Sequence, residues 1–454
     1  MKFKQQLLFK RFNLMKKLFI LLFCFFLVSL SLAQSSANEL LRDGLTCLAK
    51  KQYDKALTDF DQVIKLQPTN AEAYYNRGVV YASMGNLNSA IADYTNTISN
   101  NPKKIEAYIN RGSAYSEAKK YKEALDDYNK AIELNPKMAE IYNNRGYLYS
   151  LENNPTEAIK DFDKAIDLNP KYSKAYINKA FSNSVLGNNQ GAIDILSKLI
   201  TINPDYAPAY FNRAVEYQTL SDKKNALKDY DKGLALEPND TKALMARAGI
   251  RDDFGDDKGA IDDCSNLINL EPSNFKAYYI RAQAEYDLPK YQAVIDDCSQ
   301  AIVLKPDYVE AYILRANAYD FMNDYIDALK DYGKAIELNP KAADAYHQRA
   351  VARLAKKDIT GAISDLTRAI SVTPNDTKLI EQRGTLWTAV KNYKGAADDY
   401  SKVIELSPNY AKAFMERAEV LLSQGYKDQA CDDYKRAETL GDGAAVSKRI
   451  FNCQ

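Results

Sequence analysis

Residues 105–138 read IEAYINRGSAYSEAKKYKEALDDYNKAIELNPKM, and this stretch decides the fold. Its proline, Pro136, is one of eleven spaced 34 residues apart without a slip, from Pro68 and Pro102 through Pro170, Pro204, Pro238, Pro272, Pro306, Pro340 and Pro374 to Pro408. Self-similarity at a fixed period of this size is the signature of stacked repeats. Counting each repeat from 31 residues before its proline places the starts at 37, 71, 105 and onward to 411, twelve repeats in all, the last with Asp442 where proline would fall.

Within a repeat, position 4 is usually Tyr (Tyr74, Tyr108, Tyr142, Tyr176, Tyr210, Tyr278, Tyr312, Tyr346) and position 8 is always Gly or Ala. Position 20 is Ala in eleven repeats, with Val294 the exception, and position 24 is Tyr, Phe, Leu or Cys. Positions 4, 8 and 11 fall on one stripe of a helix, and positions 20, 24 and 27 on one stripe of a second. Small residues at 8 and 20 let the helices approach, and large ones at 4, 11 and 24 fill the space around them. Proline at 32 ends the second helix, because it lacks an N–H and restricts the residue before it. Such a helix pair cannot bury its apolar face alone, so neighbours must stack. No residues are inserted between repeats that could carry a grafted catalytic domain.

This pattern closely resembles the tetratricopeptide repeat over residues 37–442. The resemblance implies an all-α, right-handed superhelical solenoid of helix–turn–helix repeats, with first helices on the concave side. Residues 443–454 are expected to form a C-terminal capping helix, Ala444–Asn452 supplying the polar cap that terminal repeats need. The family's chaperone-tail clamp wants Lys at position 5 and Asn at position 9. Position 5 is never Lys here and only Asn317 fits position 9, so that ligand is not carried over.

Ahead of the repeats, Met15-Lys16-Lys17 precedes an apolar run from Leu18 to Val28 that continues to Ala33. Charge, a short apolar stretch and small residues at Ser31 and Ala33 make residues 1–33 a secretory signal with cleavage expected after Ala33. Leu18–Ala33 is 16 residues, short beside the roughly 20 of a membrane-spanning helix. Met15 begins a complete signal by itself, which makes it an alternative start. The chain is therefore expected to be exported, to a periplasm or the outside of a bacterial cell. The rival reading is an envelope-assembly factor that keeps this segment as a membrane anchor.

The chain has 61 Lys and Arg against 60 Asp and Glu, but residues 1–33 hold six of the basic residues and none of the acidic ones. A weakly acidic body lacks the Lys/Arg footprint that neutralises phosphates, so no nucleic acid is expected. His347 is the one histidine, so no second histidine exists to build a Ser-His or Cys-His pair elsewhere. Closely spaced zinc ligands and glycine-rich phosphate loops are missing from the sequence. Asp252-Asp253 and Asp256-Asp257 around Gly255 superficially suggest a calcium loop, but no glutamate follows at the required spacing. The reading is a non-enzymatic scaffold without metal or cofactor.

Two further expectations concern side chains. Position 7 is Arg in ten repeats, Lys179 in one and Asp43 in the first, while position 23 is Asp in eleven, with Ile195 the exception. Both border the buried stripes and need partners. Pairing within a repeat would oppose Asp43 and Asp59, so a ladder between repeats is expected, Asp59 to Arg77 and Asp93 to Arg111. Among the cysteines, Cys264 and Cys298 at position 24 read as buried small hydrophobes. Cys431 and Cys453 flank Gly441-Asp442-Gly443 at equal distance. A last helix folding back would bring them together, leaving a bridge or two separate thiols as the alternatives.

Candidate groove residues come from positions 2, 5, 9, 12 and 13, the least repetitive ones. Early repeats offer apolar and neutral groups, among them Tyr75, Val79, Ile109, Tyr147, Phe181 and Phe211. Repeats seven to nine instead place Asp252, Asp253, Tyr286, Asp287, Asp320 and Phe321 at positions 12 and 13, with Tyr279 at position 5. Carboxylates near a helix C-terminus oppose the macrodipole. Together with aromatic faces they suit a basic segment of a protein or peptide partner. The alternative is that exposed helix ends tolerate any polar residue.

Overall fold

The computed structural model describes residues 34–453 and, before them, only Met15, Lys16, Leu18, Leu21 and Leu22. The signal or anchor segment, residues 1–33, otherwise lies outside the described residues, as does Cys24. Among the described residues the chain is all-helical, and none of the helices is long and apolar enough to cross a membrane. The chain divides into two compact bodies, Met1–Asp229 and Tyr230–Gln454. In each, helix pairs recur at the 34-residue pitch and successive helices pack on one another. The pair Ala71–Ser83 and Leu87–Asn100 stands for the first body. The pair Ala411–Ser423 and Lys427–Thr439, followed by the final helix Gly443–Asn452, stands for the second.

Each repeated residue type has a visible physical task. The Ala at position 20 is fully buried where the two helices meet, as at Ala90, Ala124 and Ala328. The ring at position 24 lies against position 8, where a Cβ on Gly78 would stand 2.8 Å from the Tyr94 ring and one on Gly146 2.8 Å from Phe162. The turn between the helices passes through a left-handed residue at position 15. It is glycine in Gly85, Gly187, Gly255 and Gly425, and a polar residue with φ between 55° and 62° in most other repeats. The proline at 32 does more than stop a helix. Its carbonyl accepts from the tyrosine hydroxyl at position 4 of the next repeat, as in Tyr108 to Pro102, Tyr142 to Pro136 and Tyr210 to Pro204 (3.0–3.2 Å). Tyrosine at 4 is therefore both packing and tether, which explains why Phe is rare there.

The charged ladder runs differently from the expectation. Arg77 donates from Nε and Nη2 to both oxygens of Asp93 in its own repeat (2.7 Å each), and its Nη1 reaches back to Asp61 of the preceding one (2.6 Å). Arg111 likewise grips Asp127 and donates to Thr95, and Arg145 grips Asp161 and donates to Asn129. The Asp59–Arg77 and Asp93–Arg111 pairings are not made. Position 7 faces its own second helix, and the bond between repeats is carried by position 25 instead. Repeat one does hold Asp43 against Asp59, and the Asp59 carboxyl is raised by its burial and then by Asp43. It tolerates this because Asp43 is exposed and Asp59 only half-buried, whereas Asp93 is 3% exposed. In repeat five, where Ile195 removes the aspartate, Lys179 bonds Asp163 at position 25 alone (2.6 Å).

Cys264 and Cys298 are both buried and unbridged. Cys431 and Cys453 form a disulfide with a Cα–Cα distance of 5.8 Å, tying the final helix to the helix before it.

Candidate functional site

Side chains at position 13 of the first helices stay exposed, and so do those at position 9 in most repeats. In the first body Tyr147, Phe181 and Val215 occupy position 9 of successive repeats and are 51%, 62% and 51% exposed. Leu151 and Val185 add to them at position 13. Large apolar groups thus stand in water at a regular pitch along this face. Tyr147 and Leu151 also border a cavity of about 340 Å³ with Ser113, Ser116, Glu117 and Asn143. A polar contact between repeats underlies this face, where Asn110 donates to the Tyr75 hydroxyl (3.1 Å) and Asn178 to Asn143 Oδ1 (3.0 Å). The asparagine at position 6, which makes these bonds, was not singled out in the sequence although it recurs in five consecutive repeats. In the second body His347 makes the same kind of contact, Nε2 donating to Gln382 Oε1 (2.9 Å) beside a cavity of about 250 Å³.

Repeats seven to nine, in the second body, present a different surface. The helices Thr241–Asp253, Phe275–Asp287 and Val309–Phe321 each end on the candidate residues at positions 12 and 13. Three rings gather there: Phe321 stacks on Tyr291 (centroids 5.2 Å, 12° between planes), and Tyr286 meets both edge-on at 5.7 Å. Phe321 remains 60% exposed. Burial, then Tyr291, Asp320 and Asp287, hold the Tyr286 hydroxyl above its usual pKa. Asp320 Oδ1 is buried without a hydrogen-bond partner, and burial raises that carboxyl.

Oxygens of Asp252, Asp257 and Asp287 lie within 4.8 Å of one another. Burial first, then Asp287, Asp257 and Asp253, push the Asp252 carboxyl up to about 6. Asp256, by contrast, caps the following helix by accepting from the Gly259 N–H and pairs with Arg251. Among the described residues these three carboxylates come closest to a metal-ligand arrangement, but they all come from one turn and one neighbouring helix end.

Of the candidates, the structure gathers Asp252, Tyr286, Asp287, Asp320 and Phe321, with Asp253 exposed at the same helix end. Tyr279 stands apart, edge-on to Tyr308 (5.0 Å), its hydroxyl pushed up to about 12 chiefly by burial. Tyr291 belongs to the surface, and Glu285 lies one residue before Tyr286; the sequence does not set the first apart. Tyr291 sits at position 17, where tyrosine is common, so nothing set it apart. Glu285 was visible as an acid at position 11, where Tyr81, Tyr115 and Tyr149 stand in other repeats. Its Oε2 is buried and unpaired. Burial and Asp297 push its carboxyl up to about 7, against a lowering by Arg281.

Stacked helix pairs of 34 residues, with a closely packed small residue in each and a proline held by the next repeat's tyrosine in many, define a helical repeat protein. The sequence profile described as TPR repeat matches residues 44–85. One described as Tetratricopeptide repeat matches 71–104, 105–138, 139–172, 207–240 and 309–342, and a second matches 343–376. Together they span more than half of the chain, which belongs to the tetratricopeptide-repeat family. No curated protein matches the chain. Among solved structures, a tetratricopeptide repeat protein from Parabacteroides merdae ATCC 43184 is 24% identical, covering 55% of this chain and 99% of its own, at a TM-score of 0.44. Yeast Tom70 is 18% identical, covering 92% and 94%, at 0.37. YrrB, described as a TPR protein with an unusual peptide-binding site, is 23% identical, covering 41% and 97%, at 0.34. Proteins of this family are generally protein-interaction scaffolds.

Proposed function

We propose that this chain is a non-enzymatic scaffold that binds a protein or peptide partner along its first helices, after export to a periplasmic or extracellular location. The observation that carries the binding role is the exposure of Tyr147, Phe181 and Val215 at one register position of successive repeats. Folding gains nothing by leaving three large apolar groups in water at a fixed pitch, whereas a partner that covers them does. Repeats seven to nine suit a basic segment of that partner, since Asp287 and Asp320 adjoin Tyr286 and the exposed Phe321 ring in the chain. Capture from the envelope fraction with wild-type protein and with Phe181→Asp tests the first point: a partner recovered equally by both would remove the apolar stripe from the account. Changing Asp253, Asp287 and Asp320 to Asn tests the second, through the salt dependence of partner binding. Export rests on the charged and apolar pattern of residues 15–33. N-terminal sequencing of the purified protein separates a mature start near Gln34 from a retained, membrane-tethering segment.

A further inference from the structure

Departures from the repeat pattern concentrate in repeat eight, residues 275–308. It alone has Val294 in place of Ala at position 20, and it has a glutamate, Glu285, at position 11. Its left-handed turn position is Pro289, with φ of +28°, far from the −65° the pyrrolidine ring prefers. Proline has no N–H, so it cannot make the bond that Lys119 and Asn323 donate at the same position to Ser116 and Asp320. Strain of this kind persists only where the surroundings over-determine it, and an observed outlier is a reason to look for function nearby. Pro289 joins Tyr286 to Tyr291, the two rings that back Phe321.

The resulting surface has a specific chemistry. Phe321 presents an exposed flat face on a parallel Tyr291 ring, so a second planar group can extend the stack. Carboxylates adjoin it in the chain: Asp287 follows Tyr286 and is exposed, and Asp320 precedes Phe321 and is half-buried, with its Oδ1 turned inside. A planar cation with a fork of N–H donors satisfies both features, stacking on the ring and bonding carboxylate oxygens in one plane. A compact ammonium satisfies only the charge. We propose that the Tyr286, Tyr291 and Phe321 surface, with the adjoining Asp287 and Asp320, is the docking site for an arginine side chain of a partner segment, in preference to lysine. This rests on the reading above that repeats seven to nine receive a basic segment, and it names the residue type.

The test uses the full chain and three fluorescein-labelled peptides of alternating residues: arginine with glycine, lysine with glycine, and uncharged citrulline with glycine. Anisotropy titrations at low and moderate salt give their affinities. The arginine peptide is expected to bind roughly three- to fivefold more tightly than the lysine peptide, the margin of a cation held over an exposed ring. Phe321→Ala is expected to bring the two to equality while leaving the salt-dependent part, since a side chain this exposed can be truncated without opening the core. Asp287→Asn is expected to weaken both cationic peptides. Equal affinity for arginine and lysine in the wild type, both weakened by Asp287→Asn, would overturn the arginine preference and leave the basic-segment reading standing. Arginine preference that survives Phe321→Ala would overturn the placement on these rings. Cationic peptides that bind no better than the citrulline peptide would overturn both readings.

Discussion

Arg145 holds Asp161, sixteen residues on in its own repeat, through two parallel N–H···O bonds of 2.7 Å, and its third nitrogen reaches Asn129 of the repeat before (2.7 Å). One guanidinium thus fixes the two helices of a repeat against each other and fixes that repeat on its predecessor. Lysine can supply one of these bonds and not the planar fork, consistent with Lys179 appearing where Ile195 has removed the aspartate.

Removing one partner of such a pair leaves the other charge in a half-buried setting. Asp161→Ala is expected to cost about 3 kcal/mol, the range found when one half of a buried pair is lost. Ile195, which has no partner in this ladder, offers the control: Ile195→Ala is expected to act through lost packing only and to leave the salt dependence of unfolding unchanged. Urea unfolding followed by circular dichroism at two salt concentrations checks both.

Gly146 and Phe162 are matched in size. An added Cβ at Gly146 would stand 2.8 Å from the ring and 3.1 Å from the Ala158 carbonyl oxygen, so Gly146→Ala is expected to destabilise by about 1–3 kcal/mol through overpacking. Ala stands against Leu196 in repeat five (Ala180) and against Tyr in repeats six, nine and twelve (Ala214, Ala316, Ala418), so a smaller residue at 24 is one way to relieve the contact and a shifted ring another. Adding Phe162→Leu to Gly146→Ala is therefore expected to recover part of the loss, giving a favourable coupling in a double-mutant cycle. Additive losses would show that the ring is not what excludes the methyl group.

Pro289→Gly is expected to stabilise the second body. Glycine accepts positive φ without strain and restores an N–H at the turn, as Gly85 and Gly255 do in their repeats, where the glycine N–H donates to Ala82 and Asp252. The gain is expected to exceed about 1 kcal/mol, because relief of strain outweighs glycine's greater freedom in the unfolded chain. A lower melting temperature in Pro289→Gly would refute the strain.

Burial and Asp297 hold the Glu285 carboxyl up at about 7, and burial with three neighbouring aspartates holds Asp252 at about 6. Both lie above the values these groups have in an unfolded chain, so between the two the folded state binds more protons. The slope of unfolding free energy against pH is then negative for these groups. Their contribution is present below about pH 4 and is lost as pH rises through 6 and 7. Glu285→Gln is expected to raise the melting temperature at pH 8 and to change it little at pH 5. Melting curves across that window check the sign.

The repeat, its period and the residues at positions 8, 20 and 24 were legible because twelve copies in one chain act as their own alignment. Tyr108 shows the limit of that reading. Its recurrence was plain, but the bond from its hydroxyl to the Pro102 carbonyl requires knowing that consecutive repeats meet at that point. The arginine ladder departs from the expectation for a related reason: Asp43 argues against pairing within a repeat, but the exposure of a terminal helix lets repeat one carry the conflict. The candidate surface was half legible. Asp287 and Phe321 stand out by departing from their neighbours, whereas Tyr291 conforms to its position and enters the surface through its contacts with Tyr286 and Phe321.

The Cys431–Cys453 disulfide closes a separation of 22 residues around the Gly441 turn and ties down a helix with little else to hold it. Of Gly443–Asn452 only Ala445 is buried, while Ile450 and Phe451 are 52% and 86% exposed. The remaining polar ties are Lys448 to Glu419 and Arg449 to Glu438 (2.8 Å each), both partly exposed and screened by salt. A cross-link over a loop of this length contributes about 3 kcal/mol, which exceeds what these contacts supply. Reduction, or Cys453→Ser, is therefore expected to release the last helix while the preceding repeats stay folded, because stability in a stacked array is largely local. Hydrogen exchange should show amides after Gly443 losing protection and those of Leu87–Asn100 unchanged. Protection retained after reduction would mean that the ion pairs and Ala445 hold the helix unaided.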